Sequence, residues 1–176
     1  MSAPRYCIVR ARPDQFEAIR EVERAAELEF PIAELPLALR GALLTSDEQL
    51  AEALRADLLW CALDSAGGVL GFAIAQWLGR DLHLDEIDVR PEHQQRGIGS
   101  ALIAALRGHA EAHGAVRITL TTFRAPPWNQ PWYERLGFVA FAESEIPAPL
   151  REIYEDEIAH GLARERRVAM ALDLRW

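Results

Sequence analysis

Residues Ile87 to Leu106, IDVRPEHQQRGIGSALIAAL, pass from an alternating, strand-like run through a proline and two glycines into an alanine-rich helical pattern. A chain that ends a strand, bares its backbone and starts a helix within so short a span is committed to an α/β arrangement. The turn also has a chemistry of its own. The amino terminus of a helix leaves backbone N–H groups unpaired and carries a partial positive charge, so it attracts phosphate. Gly97 and Gly99 remove β-carbons that would hold a diphosphate away from those donors, and Arg96 adds a local cation. The turn is therefore expected to hold a pyrophosphate, although a tight strand-to-helix turn without a ligand uses the same spacing. Neither a dinucleotide fold nor a nucleotide P-loop is indicated: QRGIGS lacks the Gly-x-Gly-x-x-Gly spacing, and no Gly-Lys-Ser/Thr occurs.

The rest of the chain surrounds this turn with short elements. RYCIVRA (Arg5 to Ala11) alternates as a strand, and RPDQFEAIREVERAAELEF predicts a helix with Pro13 in its first turn and Phe16, Ile19, Val22 and Ala26 on one face. FPIAELPLALRG interrupts it. Thr45 with Glu48 has capping-box spacing and opens a second helix through about Leu54. Leu58 to Asp64 and Val69 to Leu78 flank a glycine pair as a hairpin, and LHLDEIDV follows as a further strand. Beyond the turn, Ile98, Ala101, Leu102, Ala105, Leu106 and His109 share a helical face ended by Gly114. VRITLTTF is a strand, QPWYERLG a short helix, FVAFAE a strand, residues 149–161 a helix and RVAMALDL a last strand. The expectation is one mixed α/β domain over residues 1–176, built around a single sheet.

Composition narrows the partners. With 19 Lys plus Arg against 27 Asp plus Glu the formal charge is −8, and no basic block offers a nucleic-acid footprint. Cys7 and Cys61 lie in apolar runs without metal-ligand spacing and read as reduced core residues. The first residues lack a signal-peptide stretch and no segment approaches membrane-spanning length. A soluble, cytoplasmic protein that binds neither nucleic acid nor membrane is expected. The five histidines show no ligand spacing, so no metal site is expected.

Two motifs together are specific. Gln94-Gln95-Arg96-Gly97-Ile98-Gly99 matches the Gln/Arg-x-x-Gly-x-Gly/Ala signature of the GNAT acyltransferase superfamily. WYERLGF, Trp132 to Phe138, matches that superfamily's Tyr-x-x-x-Gly-Phe segment in the right order. The chain resembles this superfamily from its first strand to about Phe141, with an added helix, about residues 149–161, before the last strand. The resemblance implies a central, mixed but mostly antiparallel sheet, flanked by helices, in which two neighbouring strands splay apart. It implies an acyltransferase for groups other than aminoacyl, with acetyl-CoA as cosubstrate. The pantetheine arm would pair with the free edge at Ile87, Asp88 and Val89, beside the diverging strand that begins at Val116. The diphosphate would lie on Gln94, Gln95, Arg96, Gly97, Ile98, Gly99 and Ser100. The acceptor would be a small-molecule or peptide amine, with a homodimer compatible.

An alkyl amine is almost wholly protonated at pH 7, so attack on a thioester needs a proton acceptor. By period-two spacing Leu84, Glu86 and Asp88 share one strand face and Ile87 and Val89 the other. Glu86 is the candidate base, directly or through water, with Asp85 and Asp88 as alternatives. Tyr133 occupies the superfamily's general-acid position. Many relatives carry an Asn seven residues before that tyrosine, where this chain has Pro126; Asn129 is the available replacement. Trp128 and Trp132 wall the acceptor pocket or belong to the core. The loop from Phe30 to Thr45 and the late helix would frame the acceptor, and Glu34, Glu152, Glu155 and Glu157 would favour a cationic one or simply form a solvated acidic face. The leading reading is N-acetyl transfer to a primary amine in a ternary complex; a non-catalytic acyl-CoA sensor of the same fold is the alternative.

Overall fold

Among the described residues the apolar alternation becomes seven strands of one sheet. The computed structural model describes residues 6–174, so Arg5 of the expected first strand lies outside the described residues. In chain order the elements are β1 (Tyr6–Arg10), α1 (Phe16–Glu27), α2 (Asp47–Arg55), β2 (Leu59–Asp64), β3 (Val69–Leu78), β4 (Asp81–Val89), α3 (Ile98–Ala112), β5 (Arg117–Phe123), α4 (Gln130–Arg135), β6 (Val139–Ala140), α5 (Ala148–Ala159) and β7 (Arg167–Asp173). The sheet order is β1-β2-β3-β4-β5-β7-β6. Among the described strands every neighbouring pair is antiparallel except β4 and β5. This is the expected mixed, mostly antiparallel sheet flanked by helices, and α5 lies before the last strand.

The core forms where these periodicities meet. Ile19 and Val22 of α1, Leu50 of α2, Phe72 of β3, Leu82 of β4, Leu102 and Leu106 of α3 and Ile118 of β5 are all fully buried in one cluster. Each contributes about 1.5–3 kcal/mol by leaving water.

One irregularity interrupts the ladder between β3 and β4. Ile74 of β3 faces Glu86 of β4, but the next residue, Ala75, faces Leu84, so Asp85 is an extra residue in β4. A bulge bends and twists its strand. Past this point β4 and β5 part: their pairing covers only Leu82–Leu84 against Ile118–Leu120. Strand β5 instead follows β7 along its whole length, from Arg117 opposite Asp173 to Phe123 opposite Arg167. The bulge also corrects the expected face of Leu84. Cross-strand partners point the same way, and the consecutive Ile74 and Ala75 point oppositely, so Leu84 lies on the face opposite to Glu86 and Asp88.

Local details differ as well. The first helix ends at Glu27 rather than running to Phe30. The second begins one residue later than expected: Ser46 Oγ accepts from the Gln49 N–H and Gln49 Oε1 accepts from the Ser46 N–H, at 3.2 and 2.9 Å. Thr45 is thereby released for another contact. FVAFAE supplies only the two-residue β6, at a sheet edge. Cys7 is exposed because β1 is the other edge strand, whereas Cys61 is buried, with its thiol pushed up to about 12 by burial.

Candidate active site

The parting of β4 and β5 opens a cleft of 1130 Å³ that runs from the glycine turn, through the sheet, to α1 and α2. Its floor is the unpaired side of β4. The Arg90 N–H donates to the Leu70 carbonyl at 2.9 Å, and in that register the polar groups of Asp88 and Glu86 turn toward β3. Those of Ile87 and Val89 therefore turn into the gap. The Val89 carbonyl accepts from Gln94 Nε2 at 3.4 Å and the Ile87 N–H donates to the Glu86 carboxyl, which leaves the Val89 N–H and the Ile87 carbonyl for a ligand.

At one end of this edge lies the turn. Gln95 and Gly97 have φ of 58° and 80°, an alternation that points successive amides into one concavity. The first helical bond is from the Ala101 N–H to the Gly97 carbonyl at 2.9 Å, and no backbone carbonyl takes the amides from Gln95 to Ser100. The two glycines have different duties. Gly97 supplies the left-handed conformation of the cap. At Gly99 a β-carbon would lie 3.2 and 3.3 Å from ring carbons of Trp132, so the missing atom makes room for that indole. The sequence alone had suggested for both glycines the single task of admitting phosphate. Arg96 is also differently placed: its guanidinium donates to the Glu92 carbonyl at 2.9 Å and does not line the cleft. Only its backbone belongs to the cradle.

At the other end lie Glu86 and Tyr133. Tyr133 is buried, its N–H donating to the Asn129 carbonyl at 3.0 Å and its carbonyl accepting from the Phe138 N–H at 3.1 Å. Gly137, with φ of 94°, turns the chain so that Phe138 meets the tyrosine ring edge-on at 5.5 Å. This is the physical content of the Tyr-x-x-x-Gly-Phe segment. Burial, then the charges of Glu86 and Asp88, push the phenol's pKa up against the opposing pull of Arg167. Burial and then Glu23 push Glu86 above the usual carboxylate range, Arg167 opposing. Asp88 is raised by burial, Glu86, Glu23 and Glu27. Asp85, held by Gln76 Nε2 at 2.6 Å, is pushed up to about 7, mainly by burial.

Sequence reasoning passed over Glu23 and Arg167. Glu23 is 4% exposed and accepts from the Thr45 N–H and Oγ at 2.9 and 3.0 Å, which ties the loop to α1 at the edge of the cleft. Its signal was available, since it is a charged residue on the same helical stripe as Ile19 and Ala26. Arg167 had no such signal. Its guanidinium meets Glu157 at 2.7 Å and Thr121 Oγ1 at 3.0 Å, 4.5 Å from the Phe123 ring centroid, and is the cation acting on both Glu86 and Tyr133.

The other expected site residues divide. Asn129 lines the cleft, donates from Nδ2 to Thr122 Oγ1 at 2.7 Å and keeps a buried Oδ1 without a partner. Trp128 is exposed at the cleft and edge-on to Phe30, while Trp132 packs over Gly99. Of the acidic residues expected around an acceptor, Glu157 faces the cleft. Glu34 is instead buried against Arg166 at 2.5 Å, Glu155 pairs with Arg164, and Glu152 is exposed. His109 and His113 stack at 4.0 Å on the far end of α3, and no group of potential metal ligands occurs among the described residues. Among the described residues no helix is long and apolar enough to cross a membrane.

Comparison with known proteins agrees with this architecture. Residues 55–140, the segment from the end of α2 through β6, match the acetyltransferase (GNAT) domain family. Thialysine N-epsilon-acetyltransferase of Bos taurus is 31% identical over 81 residues, which is 44% of this chain and 46% of that enzyme; the match thus spans about half the length of the relative. The fold is shared across nearly the whole chain with PaiA N-acetyltransferase from Thermoplasma acidophilum, solved with coenzyme A (TM-score 0.72, 16% identity, 98% and 99% of the two chains). It is shared too with N-acetylglutamate synthase from Neisseria gonorrhoeae, solved with coenzyme A and N-acetyl-glutamate (TM-score 0.73, 18% identity, 97% and 35%). The domain match covers the strand, turn and helix that build the cleft, so this stretch of the chain is similar to the GNAT acetyltransferase domain, and the solved structures share the fold around it.

Proposed function

We propose that this protein transfers an acetyl group from acetyl-CoA to the nitrogen of a primary amine by direct attack in a ternary complex. One observation carries the reading: the free edge of β4 joins a cradle of unpaired amides, Gln95 to Ser100, at one end to Glu86 and Tyr133 at the other. The cradle fits a diphosphate and the edge fits the amide-bearing pantetheine arm, whose groups would bond Ile87 and Val89. The orphaned Asn129 Oδ1 fits an N–H of the same arm. These chemistries occur together in coenzyme A.

Acetyl-CoA supplies the activated carbonyl. In the transfer a carbon–nitrogen bond forms, the carbon–sulfur bond breaks, the amine loses a proton and the thiolate gains one. Glu86 accepts the amine's proton, directly or through water, and Arg167 favours the ionised form needed for that role. Tyr133 supplies the hydrogen bond to the departing sulfur. Its raised pKa keeps the phenol protonated across the working pH range, so it enters each turnover as a donor. The bulge at Asp85 helps by parting the strands beside Glu86, and the closely packed α4 fixes the phenol. The exposed, unpaired Cys7 fits a reducing compartment such as the cytoplasm.

Acetyl-CoA incubated with a broad panel of amines and peptides, with free thiol monitored, tests this directly. Amine-dependent thiol release and an acetylated product are expected. Tight coenzyme A binding with no amine-dependent release would leave a sensor of the same fold instead.

A further inference from the structure

The recessed carboxyls of the cleft are not equally provided for. Glu23 is bonded to Thr45, Glu157 to Arg167 and Thr121, and Asp85 to Gln76, while Glu86 is within the influence of Arg167. Asp88 opens on the same cleft with neither a hydrogen bond to its carboxyl nor a cation nearby among the described residues. What faces it is Glu86 from its own strand, Glu23 and Glu27 from α1, and the Tyr133 phenol from α4. Crowding a half-buried carboxyl against three others is unfavourable unless a positive charge arrives. The cleft wall does not supply one there, since nine of its lining residues are Asp or Glu and only two are Arg. Arg167 is engaged by Glu157, and neither Arg is among the charges that act on Asp88.

Resting on the acetyl-transfer reading, we propose that the acceptor is an amine carrying a second positive charge, and that Asp88 binds that charge while the reacting nitrogen lies at Glu86. Both side chains are on one face of β4, two residues apart, so their stems are about 7 Å apart. That separation suits an α,ω-diamine of about four methylenes or a basic compound of similar reach. Arrival of the dication lets the crowded carboxyls ionise together, so binding near neutral pH releases protons to the buffer. It also offsets the charge of Glu86 and Asp88 felt by Tyr133, which makes the phenol a better donor once the acceptor is in place.

The test compares 1,4-diaminobutane with 1-aminobutane, which differ in the second nitrogen. At pH 7.5 the wild-type kcat/KM should favour the diamine by about 30-fold or more, the scale of a charge-assisted contact in a water-poor site. In Asp88→Asn, which keeps the shape, that ratio should fall about tenfold or more, whatever happens to either absolute rate. Calorimetry of diamine binding to the coenzyme A-saturated protein, repeated in buffers of different ionisation enthalpy, should show proton release that shrinks in the variant. Equal kcat/KM for the two amines, or a preference unchanged by Asp88→Asn, would overturn the proposal. If no amine releases thiol, the acetyl-transfer reading fails. Calorimetry then still decides the role of Asp88, because a diamine that binds no better than the monoamine removes it.

Discussion

Replacing Glu86 by Gln removes the proton acceptor while keeping its size, and the surroundings of this side chain set the size of the effect. Glu86 lies in the cleft under the influence of Glu23 and Glu157, with Arg167 as counter-charge, and its carboxyl is raised by burial first and Glu23 second. It therefore loses its proton at a higher pH than a surface glutamate. The wild-type rate should climb with pH as Glu86 ionises and then level. An alkyl amine of pKa about 10 is neutral in only about one molecule in a thousand at pH 7. An enzyme with a base can accept the abundant ammonium form and deprotonate it, whereas the Gln variant must wait for the rare neutral form. A positioned base contributes about 10²–10⁴-fold, so kcat/KM at pH 7 should fall by about 10²–10³. Where the wild type has levelled, the deficit should narrow about tenfold per pH unit and nearly vanish near the acceptor's own pKa, about 10. Initial rates of thiol release from pH 6.5 to about 10 with a simple alkyl amine provide the assay. A defect of constant size would refute the base assignment, because a carboxylate that only positions the acceptor is not made dispensable when the amine deprotonates itself. No defect at any pH would move the proton to Asp85, Asp88 or Glu157.

Three further outcomes are expected. Tyr133→Phe should lower kcat by about 10²-fold or more with little change in acetyl-CoA affinity, since the hydroxyl acts only as sulfur departs; an unchanged kcat with chemistry rate-limiting would return Tyr133 to packing. Gly99→Ala places its β-carbon 3.2 Å from the Trp132 ring and should destabilise by about 1–3 kcal/mol while weakening coenzyme A binding. Gly108→Ala, which meets nothing within 4 Å on the same helix, should instead stabilise by about 0.5–1 kcal/mol; equal effects in thermal melts would contradict the contrast. Asp85 is pushed up to about 7 in the folded chain, above the ordinary carboxylate range, so the folded chain holds that proton more tightly and loses stability as pH rises through this window. Asp85→Asn should therefore melt higher than wild type at pH 8, by about 2–4 °C per kcal/mol gained, with the gap closing as the pH falls toward about 4. A pH-independent difference would argue against titration of Asp85.

What the sequence determined by itself was local. The switch of period at Ile87–Leu106 fixed a strand, a turn and a helix in that order. The positive φ at Gly97 and the cap at Gly114 follow from residues that tolerate the left-handed region. The match of Tyr133 with Gly137 and Phe138 was equally legible, because the turn and the ring contact close within six residues. The cleft itself was not legible in this way. The bulge at Asp85 is a mismatch in register between two strands, and a single strand read alone has no partner against which an extra residue can be counted. Hence Leu84 was expected on the wrong face. Glu34 met Arg166 across the chain instead of facing an acceptor, and Arg167 reached Glu157 and Thr121, because the last strand lies between β5 and β6. Asp88 shows the division most clearly: its alternation with Glu86 was written in the sequence, but its charge environment depends on Glu23 and Glu27, which stand more than sixty residues away and become neighbours only when α1 packs on β4.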